Sequence, residues 1–327
     1  MWNQASVLIT GGTGFLGKSL VRLLLERYSD IGRIIVFSRD ELKQYEMAQE
    51  FSVRNYPQVR FVLGDIRDEA RLLQACAGVD YVIHAAALKQ VPAAERNPTE
   101  YIKTNVLGTE NVVKAALACN VSRMVVVSTD KAVNPSGVYG ATKLCAERVV
   151  TAACVPGSAS QTKIGLVRFG NILGSYGSVL PFFIEKRKEG VLPITHKDMT
   201  RFSMSAREAS DMVIEIMGKI VGGEIFVPKI PSFRVVELAE AVAPGSRCTF
   251  VGVRPGEKIH EELITETESL NTVDFGKYYV VLPPLKHNDS SLYATWEAAE
   301  WVPKGFKYAS NTNPEFLSLT HLKQLTT

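Results

Sequence analysis

The chain has 327 residues, 46% hydrophobic and 22% charged, with a formal net charge of +3 from 37 basic and 34 acidic side chains. That is ordinary globular composition, long enough to bury a large core, and its basic excess is too small for a nucleic-acid partner. No apolar run reaches the ~20 residues of a membrane span, no leader pattern opens the chain, and the five cysteines form no C-x-x-C pair, so a soluble cytoplasmic protein with reduced thiols, no membrane contact and no metal is expected.

The first half alternates short β-branched runs with helical spacing. Ser6–Thr10 reads as a buried strand and 14–27 as a helix, with apolar residues at Phe15, Leu16, Leu20, Leu23 and Leu24. Arg33–Ser38 is the next strand, and Asp40 caps a helix running to about Phe51. A strand over 59–64, a helix over 68–76 and the strand Tyr81–His84 follow, then a long helix from Pro98 to Cys119. Arg123–Thr129 is a strand, 138–153 a helix and Lys163–Phe169 a strand. Near-continuous apolar strands alternating with amphipathic helices predict an α/β fold, a doubly wound parallel sheet with ligands at the carboxyl ends of its strands. Beyond Phe169, glycines and prolines break the rhythm. A helix over 206–219 and a strand over 224–227 are expected to return to the sheet. The division expected is a dinucleotide-binding Rossmann domain over 1–170, with 206–230 returning to it, and a smaller substrate lobe from 171–205 and 231–327. That lobe is expected to hold the turn Arg254-Pro255-Gly256 and a helix over about 257–264, with the residues from about 311 peripheral.

The turn TGGTGFLG between the first strand and helix carries Gly11, Thr13, Gly14, Phe15, Leu16 and Gly17. Glycines there allow a tight turn and let backbone N–H groups reach a pyrophosphate at a helix N-terminus. A carboxylate for a ribose hydroxyl commonly ends the second strand. Here that place holds Ser38 and Arg39, with Lys43 one helical turn on, which suits a 2′-phosphate and points to NADP. Asp65 can accept from the adenine amino group, with Ile66 against the ring. Small Ala85 and Ala86 let the cofactor lie on the backbone, and His84 reads as a structural histidine.

Tyr139 and Lys143 lie four apart at a helix start, so they share a face. A neighbouring ammonium favours the phenolate, so Tyr139 can take a proton from a hydroxyl as hydride leaves the same carbon, while Lys143 also holds the nicotinamide ribose. Thr129 supplies a hydroxyl that orients the substrate or Tyr139. The adjacent Asp130-Lys131 pair is surplus to a simple dehydrogenase. Successive strand residues point to opposite faces, so the two converge only if the strand has ended, as Asn134-Pro135 just beyond suggests.

Together these features resemble the extended short-chain dehydrogenase/reductase superfamily over essentially the whole chain. Seven segments, in order, narrow the resemblance: SRDELK at 38–43, HAAALKQVPAAE at 84–95, STDKAVNP…YGATK at 128–143, RFGNILGSYGSVLPFF at 168–183, DMTRF at 198–202, GGEIFVPKIPS at 222–232 and RPGEKIHEE at 254–262. They are similar to the inverting UDP-N-acetylglucosamine 4,6-dehydratases of bacterial pseudaminic acid biosynthesis. The resemblance implies oxidation at carbon 4 of the sugar, loss of water across carbons 5 and 6, and return of the hydride to carbon 6. It assigns Lys131 as the carbon 5 base and Asp130 as the acid for the departing hydroxyl, which requires Lys131 to become neutral through burial and nearby Lys143. It also implies a homo-oligomer, dimer or hexamer.

For UDP-N-acetylglucosamine, Lys89 and Asn171 past the fourth and sixth strands are expected at the sugar or phosphates. Lys89 and Ile172 are also expected at the nicotinamide end. Arg201 and Arg254 are the diphosphate candidates, Glu257 the candidate for the uridine ribose, and the Phe182-Phe183 pair reads as core. A retaining dehydratase or a sugar 4-epimerase on the same fold is the enzyme alternative, and a silent NADP-binding sensor the alternative of another class. The intact Thr129, Tyr139 and Lys143 speak against the sensor.

Overall fold

Strand β1 (Ser6–Thr10) is buried at all five positions, because helices cover the sheet on both faces. The computed structural model describes residues 1–154, 161–283 and 299–326. After β1 come α1 (Phe15–Arg27), β2 (Arg33–Ser38), α2 (Glu41–Glu50), β3 (Val59–Leu63), α3 (Glu69–Cys76) and β4 (Tyr81–His84). Asp40 and Asp68 cap α2 and α3 by accepting from the backbone N–H groups of Lys43 and Arg71.

The single long helix expected from Pro98 is broken. Short helices α4 (Val91–Arg96) and α5 (Pro98–Tyr101) lead into a π-helical stretch, Ile102–Leu107, before α6 (Gly108–Ala118). The wide turn aims Asn105 inward. Its side chain accepts from Leu88 N at 2.8 Å and donates to Leu88 O at 2.9 Å and to Thr142 at 3.1 Å. A π-turn is costly and persists where it places a side chain that an α-helix would turn away; here it pins the segment leaving β4.

Then come β5 (Arg123–Thr129), α7 (Val138–Ala152), β6 (Lys163–Phe169), the short β7 (Asn171–Ile172), α8 (Val179–Lys186), β8 (Val191–Ile194), β9 (Thr200–Met204), α9 (Ala206–Met217) and β10 (Ile225–Pro228). The chain continues through β11 (Ser232–Arg234), α10 (Val235–Val242), β12 (Arg247–Phe250), β13 (Glu262–Ile264), β14 (Thr272–Asp274), β15 (Tyr278–Val281), β16 (Glu300–Trp301), β17 (Tyr308–Ala309) and α11 (Leu319–Gln324).

The main sheet runs β16-β14-β15-β10-β6-β5-β4-β1-β2-β3. From β3 to β10 the pairing is parallel, and the last three strands add antiparallel. The order reverses between β1 and β4, which opens a crevice at their carboxyl ends. Strands β14 to β16 had been expected in the smaller lobe. They are too short and interrupted to read as strands from sequence, and they complete the main sheet instead. A second apolar cluster, including Leu180, Phe183, Leu192, Ile194, Phe233, Leu238 and Leu322, forms beside it. The expected core pair divides: Phe183 is buried and Phe182 is 41% exposed.

Candidate active site

The β1–α1 turn fits a dinucleotide. Gly11 has φ +67°, and a Cβ there would lie 2.8 Å from the Ala86 backbone. A Cβ on Gly17 would lie 2.5 Å from Gly12 Cα. Only glycine lets these segments cross. Helix α1 has neither a side-chain cap at Gly14 nor an acidic residue in its first turn, so its first N–H groups and positive end remain available to a phosphate. Thr13 Oγ1 is 2.8 Å from Ser38 Oγ, which ties the turn to the end of β2. Phe15 stands edge-on to Tyr176, and Leu16 is buried in the core.

Just beyond β2, Asp40 turns its carboxylate onto α2 (Lys43 N to Oδ1, 3.0 Å) and pairs with Lys43 Nζ at 2.9 Å. Arg39 is half-exposed, 3.6 Å from Asp65. Burial alone would raise the Asp65 pKa, but Arg67, at 2.7 Å, and Arg39 hold it below the usual carboxylate value. Ile66 is turned against α6, where a Cβ on Gly108 would meet its Cδ1 at 2.7 Å, so it is packed into the fold. Ala85 N donates to Thr10 O at 3.1 Å, which keeps the strand ends in register. His84 bonds Thr10 and Thr109 at 2.6 and 2.9 Å. Burial, aided by Lys143, holds its pKa down to about 3, so it is a neutral structural histidine.

Strand β5 ends at Thr129, and Asp130–Ala132 form one turn of 3₁₀-helix. This turn rotates two successive side chains to the same side. Lys131 Nζ lies 2.8 Å from Asp130 Oδ1, 3.3 Å from Asn171 Oδ1 and 3.2 Å from Glu261 Oε1. Thr129 Oγ1 donates to Asp130 Oδ1 at 2.9 Å. Asp130 is wholly buried, and its Oδ2 has no hydrogen-bond partner among the described residues. Helix α7 presses against the turn: a Cβ on Gly140 would lie 2.1 Å from Lys131 O. The close packing brings Tyr139 and Lys143 under the turn.

The electrostatics differ from expectation in two respects. Burial works to lower the Lys131 pKa, but Asp130 and Glu261 outweigh it, and Lys131 is held charged above its ordinary value. Burial pushes Tyr139 up to about 12, with Lys131 and a Thr129 hydrogen bond pulling the other way. Lys143, the ammonium expected to act on Tyr139, instead donates to Val127 O at 2.8 Å, and burial lowers its pKa to about 8 against the pull of Glu147. Asp130 is raised by burial, opposed by Lys131 and reinforced by Glu261. Lys89 reaches Ser175 Oγ at 3.3 Å. Its pKa is lowered by burial and by the charge of Lys131, which places it beside the cluster. Ile172 extends β7 against Met204.

The distal candidates separate. Arg201 is buried, and its guanidinium donates to Thr200 O, Ile259 O and Lys258 O at 2.7, 3.0 and 3.0 Å. It braces the 258–261 segment and is not free to form a diphosphate fork. Arg254 and Glu257 pair with each other, Arg254 being 59% exposed. The helix expected over 257–264 is absent. The segment is irregular up to β13, whose residues pair with β17. Sequence reasoning gave Glu261 no role, although it lies within the RPGEKIHEE segment. It also missed the buried ion cluster of Arg168 with Glu147 (2.7 Å) and Glu268 (3.0 Å), which lies under β5 and β6.

Residues 7–283 match the family described as polysaccharide biosynthesis protein. The chain belongs to this family. It is 45% identical to the UDP-N-acetylglucosamine 4,6-dehydratase (inverting) of Campylobacter jejuni, covering 99% of this chain and 98% of that one. It is 38% identical to the UDP-glucose 4-epimerase of Rickettsia canadensis, over 99% and 96%. Among solved structures, Pen from Bacillus thuringiensis superposes with a TM-score of 0.89 at 36% identity, over 99% and 98%. DesIV, a dTDP-glucose 4,6-dehydratase from Streptomyces venezuelae with NAD bound, gives 0.67 at 25%, over 77% and 86%. The fold is the extended short-chain dehydrogenase/reductase fold of dehydratases and epimerases, and the glycine turn suits a nicotinamide dinucleotide.

Proposed function

We propose that this chain is an NADP-dependent UDP-N-acetylglucosamine 4,6-dehydratase that inverts carbon 5. The observation that carries the reading is the 3₁₀ turn, which sets the Asp130–Lys131 pair beside Thr129, Tyr139 and Asn171 at the carboxyl ends of β5 and β6. A 4-epimerase never touches the carbon 5 proton and has no use for a second acid–base pair, which disfavours that alternative in spite of the Rickettsia relative. NADP is favoured because the acidic group after β2, Asp40, is committed to capping α2, which leaves Ser38 at the end of β2 and the half-exposed Arg39 as the candidates for a 2′-phosphate.

A bound nicotinamide dinucleotide supplies the acceptor, and later the donor, of the hydride. Tyr139 must first lose its own proton, against the effect of burial and helped by the Lys131 charge and the Thr129 hydrogen bond, and the phenolate then takes the carbon 4 hydroxyl proton. The carbon 4 ketone then acidifies the neighbouring carbon 5 proton. Lys131 rests as an ammonium hydrogen-bonded to Asp130. Moving that one proton from Nζ to Asp130 Oδ1 creates a neutral amine and a neutral carboxylic acid together, the two species that elimination requires. The amine takes the carbon 5 proton, Asp130 gives its proton to the departing 6-hydroxyl, and water leaves. The pair is then an ammonium and a carboxylate again. The hydride then returns to carbon 6, a solvent proton delivered to carbon 5 from the opposite face inverts it, and Tyr139 gives the proton it took back to solvent. Lys89, Asn171, Arg254 and Glu257 remain our candidates for holding the nucleotide sugar. We take the enzyme to be cytoplasmic and oligomeric.

The test is purified protein with NADP and UDP-N-acetylglucosamine in deuterated water, followed by proton NMR. Expected are a 6-deoxy-4-keto product with deuterium at carbon 5 in inverted configuration, and no net cofactor consumption. Retained configuration at carbon 5, or a 4-epimer without loss of water, sinks the proposal.

A further inference from the structure

The 258–261 segment grips the catalytic turn from the far side of the sequence. Lys258 Nζ donates to Val133 O at 2.8 Å and to Asp130 O at 3.3 Å. Glu261 is 2% exposed, with carboxylate oxygens 3.2 Å from Lys131 Nζ, 3.1 Å from Lys258 Nζ and 3.7 Å from Arg201 Nε. Asn171 Oδ1 also accepts from Lys131, at 3.3 Å. Lys131 is therefore held between Asp130 on its own turn, Glu261 and Asn171, with Lys89, Arg201 and Tyr139 as its other ionisable neighbours. A buried carboxylate that only bridged two segments would be satisfied by Lys258 and Arg201. This one also reaches the side chain assigned as the base.

We propose that Glu261 is the positioning residue of the elimination step: its carboxylate fixes Lys131 Nζ beside Asp130 and sets how tightly Lys131 holds its proton, while taking no part in hydride transfer. The inference rests on the dehydratase reading of the same site. Glu261 competes with Asp130 for the Lys131 ammonium, so it stabilises the resting ion pair and aligns it. Burial alone would push Glu261 up, but Lys131, Arg201 and Lys258 hold it down to about 2, so it is ionised throughout the working range.

The test uses full-length enzyme with added NADP, as wild type, Glu261→Gln and Glu261→Asp. Two properties are read. The first is the titration of Lys131 Nζ by NMR of ¹⁵N-lysine-labelled protein, assigned by its loss in Lys131→Arg. The second is the partition between carbon 4 oxidation, followed by the near-ultraviolet band of reduced nicotinamide, and release of dehydrated product. Removing an opposite charge this close shifts a pKa by about 1–3 units. Glu261→Gln should therefore titrate Lys131 lower by at least about one unit. It should keep carbon 4 oxidation and lose roughly tenfold or more in product release, from misplacement of the base, so that reduced cofactor accumulates. Glu261→Asp keeps the charge and should restore the titration even where alignment is incomplete. Equal loss of both half-reactions, or an unmoved Lys131 titration, overturns the proposal and leaves Glu261 a structural bridge. If the wild type itself forms no dehydrated product, the dehydratase reading fails. The Lys131 titration then still reports whether Glu261 governs that lysine.

Discussion

Two buried ion clusters lie close together in this molecule and do opposite things. In one, Arg168 is fully buried, spans Glu147 and Glu268, and also donates to Leu263 O; Glu147 accepts from Ser128 as well. In the other, Lys131 is 24% exposed, and the carboxylate it bonds has a bare, buried oxygen. The closed cluster has nowhere to send a proton. On the proposed mechanism, the open one holds the proton that passes between Lys131 and Asp130. On that reading, the same residue types act as a girder when every lone pair is matched and as an acid–base device when carboxylate oxygens, here Asp130 Oδ2 and Glu261 Oε2, are left without a hydrogen bond among the described residues.

Breaking the closed cluster should cost the fold. Arg168→Met leaves the buried Glu147 and the partly buried Glu268 facing each other, and removing one partner of a buried pair costs about 3–5 kcal/mol. Denaturant midpoints should drop accordingly, and an unchanged midpoint would mean that the cluster is not holding β6 to the 263–268 segment. Breaking the open cluster should cost chemistry. Lys131→Met should still bind NADP and lower product release by about 10²–10⁴-fold, the usual worth of a general base; normal turnover would remove Lys131 from the mechanism.

How much of this was legible beforehand follows chain distance. Strands β1, β2, β4, β5 and β6 are visible in the sequence because each is a short apolar run buried on both faces. The glycine turn and Tyr139–Lys143 are local patterns on adjacent elements. Asp130 and Lys131 stood out as unexplained charges, and the break in the strand that unites them was signalled by Asn134-Pro135. Glu261 and Arg168 were not visible. Glu268, which completes the Arg168 cluster, and Lys131, which Glu261 reaches, lie a hundred residues away or more, and nothing local separates a buried glutamate from a solvated one. The 257–264 segment is rich in charge and reads as helical, yet tertiary contacts to the 130–138 region and to β17 override that local preference.

Two smaller effects sharpen the contrast between matched and unmatched groups. His84 is matched on both ring nitrogens. An unfolded chain takes up a proton near pH 6.5, whereas the folded one resists until about 3. Stability should therefore fall as pH drops through that window, and urea midpoints of His84→Gln should fall less steeply there. Among the described residues, Arg39 has no ion-pair partner apart from Asp65. Arg39→Ala should weaken NADP binding about tenfold or somewhat more, the worth of a charged hydrogen bond, and barely change NAD binding. Equal loss for both dinucleotides in calorimetry would refute the 2′-phosphate assignment.

The long separation of Lys131 from Glu261 also has a consequence in time. During synthesis, strands β1 to β6 leave the ribosome well before residues 258–261 exist, and amino-terminal units fold first. The nascent unit must carry Asp130 and Lys131 on an unfinished rim, and pairings this far apart along a chain form late. The proposed catalytic pair is made well before residues 258–261, the last of its neighbours to arrive.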